Sequence, residues 1–116
     1  MTAEQFREIA LGQPGAEERS HMGHPDFRAN GRIFATLQAD ERTGMVKVAP
    51  AEQEVLLRDY PAIFTPAAGA WGRQGCTLVQ LTKATPRVVR PAMQLAYEAV
   101  ASKPAPGKKR RPRQSR

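Results

Sequence analysis

Two histidines three residues apart, His21 and His24, follow Glu17 and Glu18 and form the chain's first grouping of chemically capable side chains. Imidazole and carboxylate both ligate metals. Two such ligands with no cysteine near them in sequence fall short of a structural set, so His21 reads as a polar strand residue and His24 as a turn residue before Pro25. Glu17, Glu18 and Asp26 do not make an acidic ridge suited to iron. Cys76 would be a nucleophile only beside a positioned base, and nothing local lowers its pKa except Arg73. Gly69, Gly72 and Gly75 recur every three residues, unlike a Walker loop or a dinucleotide fingerprint. No catalytic residue, metal or cofactor is therefore expected, no small-molecule substrate can be assigned, and the protein is expected not to be an enzyme.

The remaining candidates are basic or aromatic. The stretch Gly69-Ala70-Trp71-Gly72-Arg73-Gln74-Gly75 reads as a loop with two possible uses. As a wing, it would offer Trp71 as a stacking or wedge surface and Arg73 as a phosphate or guanine contact. In the other use the tryptophan folds back and seals the core. A chain with a single tryptophan favours the second use. Lys83, Arg87 and Arg90 gather near the start of the last helix, as a phosphate-facing patch or as a solvated helix face, and both readings stay open.

The charge is concentrated at one end. The chain carries +7, and from Lys103 to Arg116 there are seven basic residues and no acid, whereas the first 102 residues hold eleven of each sign. Residues 1–54 hold six basic and nine acidic groups, and residues 55–102 hold five and two, so an electropositive face on the domain is expected from the second half. The tail residues Lys108, Lys109, Arg110, Arg111, Arg113 and Arg116 could displace counterions from a polyanion. With no aromatic side chain among them, they would do so weakly and without sequence preference. A membrane surface would attract the same charges, but no amphipathic helix or lipidation motif adjoins them, and no membrane partner is expected.

These residues need a scaffold. A length of 116 residues suits one domain, taken as 1–102, followed by a disordered basic tail over 103–116. One cysteine, no apolar run long enough to span a bilayer and no signal-peptide pattern together predict a soluble cytoplasmic protein. Thr2 and Gln5 form a capping box that starts a helix over about 3–11, burying Phe6 and Ile9. A polar strand follows over 17–22. Asn30-Gly31 then marks a hairpin between two aromatic and branched runs. A two-residue loop would pair Phe27 with Phe34, and a three-residue loop would pair Phe27 with Ile33; the sequence leaves both open. Residues 38–44 read as a polar turn and 45–48 as a strand. A helix follows over 51–59, then a short strand at 62–65 and a strand over 76–82 with Val79 and Leu81 facing inward. Thr85-Pro86 opens the last helix, whose buried stripe is Val89, Met93, Ala96, Tyr97 and Val100. Pro91 predicts a kink, or a helix that properly begins at Arg90. The order predicts an α+β two-layer sandwich, an antiparallel sheet with helices mainly on one face.

Several of these segments together resemble the MmcQ/YjbR family of bacterial proteins. They are Pro14-Gly15-Ala16-Glu17-Glu18, Gly23-His24-Pro25-Asp26-Phe27, Gly31-Arg32-Ile33-Phe34-Ala35, Tyr60-Pro61, Gly69-Ala70-Trp71-Gly72, Leu78-Val79-Gln80-Leu81 and Ala96-Tyr97-Glu98. The resemblance spans about residues 3–102 and lies in their order and spacing. It implies a helix-backed antiparallel sheet, related in shape to secretion chaperones and frataxin-like proteins. It also implies DNA binding through a pair of wing-like elements, for one of which the hairpin tip flanked by Arg28 and Arg32 is a candidate. The expectation is a small non-enzymatic DNA-binding protein. Trp71, Arg73, Lys83, Arg87 and Arg90 would supply orientation, and Lys108, Lys109, Arg110, Arg111 and Arg113 most of the affinity. The alternative is a protein-interaction or chaperone-like module that uses the exposed sheet face.

Overall fold

The computed structural model describes residues 1–21 and 23–103. Its elements run α1 (Ala3–Leu11), β1 (Glu17–His21), β2 (His24–Ala29), β3 (Arg32–Leu37), β4 (Thr43–Lys47), α2 (Pro50–Asp59), β5 (Phe64–Pro66), α3 (Gly69–Arg73), β6 (Cys76–Gln80) and α4 (Pro86–Ala101). The six strands make one antiparallel sheet in the order β1-β2-β3-β4-β6-β5. The α+β sandwich read from the sequence is the architecture found. Both sheet edges are blunted against pairing with other chains: β1 carries Glu17, Glu18 and Arg19, and β5 is three residues long and ends in Pro66.

Each helix starts for a local reason. In α1, Thr2 Oγ1 accepts from the Gln5 amide at 3.1 Å while Gln5 Oε1 accepts from the Thr2 amide at 2.9 Å, closing the capping box. Phe6 and Ala10 are fully buried and Ile9 only partly, so the inward face is rotated by one residue from the expected pair. In α2 and α4, proline stands at the first helical position. Helix α4 runs from Pro86 through Pro91 without interruption, so it does not begin at Arg90. Its buried stripe is Val89, Ala92, Met93, Ala96 and Val100, with Tyr97 at the margin.

The hairpin resolves its register in a way neither expected pairing describes. Asn30 (φ 56°) and Gly31 (φ 73°) are both left-handed, so the loop has two residues and Ala29 pairs with Arg32. Arg28 then pairs with Ile33, but Phe27 pairs with Ala35, so β3 carries one extra residue, Phe34. The bulge lets adjacent residues Phe34 and Ala35 both be buried. The Phe34 ring meets Tyr97 of α4 edge-on, with centroids 5.8 Å apart. The Asn30 side chain clamps the tip to the end of α4: its Nδ2 donates to the Val100 carbonyl at 3.0 Å and the Lys103 carbonyl at 2.7 Å.

Directly paired residues share a face of the sheet. Phe27, Ala35, Val46, Gly44, Val79 and Phe64 line the inner face beneath α1 and α4, with Leu37 beside them. The opposite face carries Arg28, Ile33, Thr36, Met45, Lys47, Cys76 and Leu78. Val79 and Leu81 are buried as expected, although β6 ends at Gln80.

Strand β4 begins at Thr43, taking in Gly44 that reads as turn in the sequence. Gly44 lies directly under Phe6, where a Cβ would stand 2.8 Å from the ring. The Phe6 ring is fully buried and packs edge-on against Phe27 at 6.3 Å, so it has little room to move aside. Gly44→Ala should therefore destabilise the protein by about 1–3 kcal/mol in thermal or urea unfolding. The same change should cost measurably less in a Phe6→Leu background, because the two positions share one volume.

Candidate nucleic-acid interface

Trp71 is 66% exposed, which overturns the expectation that the lone tryptophan seals the core. The physical reason lies in the segment around it. Residues expected to form a loop wind into α3, one short helix, and the residue of that helix that packs inward is Gly72. A Cβ at position 72 would fall 2.0 Å from the Ala67 carbonyl oxygen. With the inward position filled by backbone alone, its neighbour Trp71 faces out. The segment is held by Gln53, buried in α2, whose Nε2 lies 3.0 Å from the Gly72 carbonyl, 3.2 Å from the Cys76 carbonyl and 3.1 Å from Thr77 Oγ1. The Thr77 hydroxyl donates onward to the Gly75 carbonyl at 3.0 Å.

Trp71 stands on the wall of a groove of about 940 Å³. The groove opens at the end of the sheet where the Asn30-Gly31 hairpin tip, the end of β4, the start of α2, the end of α3 and the end of α4 converge. It continues onto the outer sheet face. Ile33, Met45 and Val48 give it apolar surface, and its charged residues are Arg28, Arg32, Lys47 and Lys103, with no acid in the lining. Arg28 is partly compensated: its Nε and Nη2 donate to the two carboxylate oxygens of buried Asp26 at 2.8 and 3.1 Å, which holds its pKa above the usual guanidinium value. Lys47 makes no ion pair among the described residues.

Helix α2 starts at the groove with Ala49 as N-cap, no side-chain cap and Pro50 at its first position, and Glu52 in its first turn offsets the positive end of its dipole. Helix α4 ends at the groove, but its carbonyls at 100 and 103 already accept from Asn30.

The structure divides the sequence-derived candidates. Trp71 lines the groove and Arg73 is exposed two residues further along α3. Lys83, Arg87 and Arg90 are exposed near the start of α4. Arg90 borders a separate cleft of about 420 Å³ between α1 and α4, shared with Gln5, Glu8, Ile9, Gln13 and Gln94. Lys108, Lys109, Arg110, Arg111 and Arg113 lie outside the described residues, as does the side chain of His21. Among the described residues no group of three or more His, Cys, Asp and Glu could hold a metal ion. No described helix is long and apolar enough to cross a membrane.

Of the groove's cations, Arg28 and Arg32 were legible as the flanks of a candidate wing and Lys103 as the first residue of the basic tail, and Lys47 is the one that sequence reasoning missed. Arg28, Arg32 and Lys47 come from the first half of the chain, where the overall charge is acidic, so the groove's charge does not originate in residues 55–102 as expected. Counts along the chain cannot register how strand alternation sorts charges onto faces. The signal was present in Val46-Lys47-Val48, where period-two alternation turns the lysine away from two buried valines.

Cys76 pairs with Lys47 on the outer face and is 4% exposed. Burial pushes its thiol pKa up, and the Lys47 charge opposes this only in part.

A six-stranded antiparallel sheet with helices on its inner face and a cationic, tryptophan-walled groove at one end defines a small α+β domain. The chain belongs to the YjbR family, whose model matches residues 11–99. Among solved structures it is similar to protein DR2400 of Deinococcus radiodurans, which carries the domain DUF419: TM-score 0.75, 18% identity, covering 88% of this chain and 80% of that one. It is also similar to a protein from Pseudomonas syringae: TM-score 0.68, 15% identity, covering 86% of this chain and 99% of that one. No curated protein matches.

Two measurements check the site. As the chain's single tryptophan, Trp71 should show water-like emission and ready quenching by acrylamide, and Trp71→Ala should change unfolding stability by no more than about 0.5 kcal/mol. Cys76 should react with a thiol reagent far more slowly in the native protein than in urea. Because its pKa is raised, the native rate should still be climbing with pH after the unfolded chain's rate has levelled off.

Proposed function

We propose that the protein is a non-enzymatic DNA-binding protein whose contacts are mainly electrostatic and independent of sequence. The observation that carries this reading is the groove, in which an exposed Trp71 stands among four cationic residues and no acid. A cationic groove with an aromatic wall suits a nucleic acid, whose backbone needs counter-charge and whose bases offer flat apolar faces. The described chain ends at Lys103, itself on the groove lining, and the basic residues 108–116 follow in sequence. On this reading the tail's phosphate contacts continue in sequence from a residue of the groove. Arg73 extends the basic surface along α3, and Lys83, Arg87 and Arg90 form a second patch for the backbone of a longer duplex. Location with DNA in the cytoplasm is part of the same proposal.

A second reading rests on a different observation. Ile33, Met45 and Val48 line the same groove and would suit a protein partner seated on the sheet face. A defined protein retained on the immobilised chain after nuclease treatment, and lost in Met45→Lys, would favour it.

The DNA reading is tested by titrating labelled duplex DNA with the full chain and with a form lacking residues 104–116, across a salt series. Six basic residues leave with the tail, so affinity should fall and the slope of log K against log salt should flatten by up to about 5. Unchanged affinity would remove the tail from the mechanism. Tight binding that ignored salt would overturn the electrostatic reading altogether.

A further inference from the structure

We infer that the groove takes an unpaired nucleic-acid strand, with a base stacked on Trp71 and the adjoining phosphates held by Lys47 and Lys103. This deepens the DNA-binding reading above and rests on it.

Trp71 has features that duplex contact does not need. It is 66% exposed, and its indole makes no hydrogen bond or ring contact among the described residues. A large ring held in water on a short helix contributes nothing to the core, while offering a flat face to a flat partner. The bases of a duplex are already stacked on one another, and the ring could reach them only as a wedge. A single strand presents base faces directly, and stacking on an aromatic side chain tolerates any base.

The rest of the lining has the matching order. Met45 and Ile33 provide apolar floor, and Lys47 stands beyond them on the same sheet face, aligned with Cys76. Lys103 and Arg32 stand at the opposite side, by the hairpin tip. Bases would lie over the apolar centre, and the backbone would follow the cationic margins. The volume of about 940 Å³ sits near the upper end of the roughly 300–1,000 Å³ usual for small-ligand pockets, which suits a short stretch of strand. The absence of acid from the lining disfavours a basic peptide as occupant, and the exposed indole goes unused by a plain polyanion.

The test is intrinsic fluorescence of the full chain at low salt, which reports one tryptophan, with oligothymidylate, oligouridylate, a duplex of equal length and polyglutamate as probes. Oligothymidylate should quench Trp71 and bind more tightly than the duplex. Trp71→Ala, followed with labelled oligonucleotide, should weaken that binding by about tenfold or more, with duplex binding held within about twofold. Trp71→Phe should restore part of the loss, which a merely structural role for the residue would not predict. Lys47→Gln should weaken binding and lower its salt dependence. Equal quenching by oligouridylate would support the inference and mean that the groove does not read the sugar. Duplex binding as tight as single-strand binding, with Trp71 emission unchanged, would overturn the inference while leaving DNA binding intact. Equal quenching by polyglutamate would overturn stacking in favour of simple charge capture. Binding of neither nucleic acid would remove both readings.

Discussion

The side-chain amide of Gln53 is buried where α2, α3 and β6 meet, and the end of the molecule that holds the groove depends on it. Its nitrogen stands within 3.0–3.2 Å of two backbone carbonyls and one hydroxyl. Both carbonyls also accept a backbone N–H, Gly72 from Gly75 at 3.0 Å and Cys76 from Ala67 at 2.9 Å, so the Gln53 amide is an added side-chain tie from α2 to α3 and β6 on a backbone that is already hydrogen-bonded. Its neighbours have been cleared for it. Gly75 (φ +104°) has no room for a Cβ, which would fall 1.8 Å from the Val48 carbonyl oxygen, and Gly72 is equally crowded by Ala67. The backbone from Gly72 to Gly75 is thus pressed against Ala67 and Val48, and the large side chain at position 71 extends into solvent. Exposure of Trp71 follows from packing elsewhere.

A second constraint comes from the sheet. Helices α1 and α4 pack together over its inner face, and strand alternation sends every second residue to the other side. On that outer side the chain places both apolar and charged groups. The pairing of Asp26 with Arg28 shows what this costs: a carboxylate only 2% exposed is retained because a guanidinium two residues away forks onto it. Lys47 has no such partner among the described residues, and the nearest titratable group it influences is the Cys76 thiol. Lys47 thus adds its charge beside the apolar floor to those of Arg28, Arg32 and Lys103.

Much of the fold was legible because it is set by local rules. The capping box at Thr2, the positive φ at Asn30-Gly31 and proline at the start of α2 and α4 each act within a few residues, and the structure shows each as read. What was not legible depends on contacts distant in sequence. Phe34 enters the inner face through a bulge because Tyr97, sixty-three positions later, offers its ring an edge. Gly44 belongs to a strand because Phe6 needs the space above it. The orientation of Trp71 turns on Gln53 and on the bare Cα of Gly72. The groove was least legible of all, since its lining comes from four separate stretches of the chain, residues 28–36, 45–50, 71–76 and 99–103. A charge count over halves of the chain points to Arg87 and Arg90, whereas the three-dimensional arrangement gathers Arg32 and Lys47 with Lys103.

The distribution of charge between groove and tail also bears on how the two would cooperate. A basic tail next to an acidic groove would fold back and occupy it. Here the groove lining and the tail sequence carry the same sign, so charge gives the tail no attraction to the groove. A polyanion bridging the two meets the same sign in both, and the tether at Lys103 makes the second contact intramolecular once the first has formed. Two weak elements linked in this way bind more tightly than either alone without any new contact. On the reading proposed above, the tail would set how strongly, and how salt-dependently, a nucleic acid is held, and the groove, with its exposed ring, would govern which form of nucleic acid is preferred.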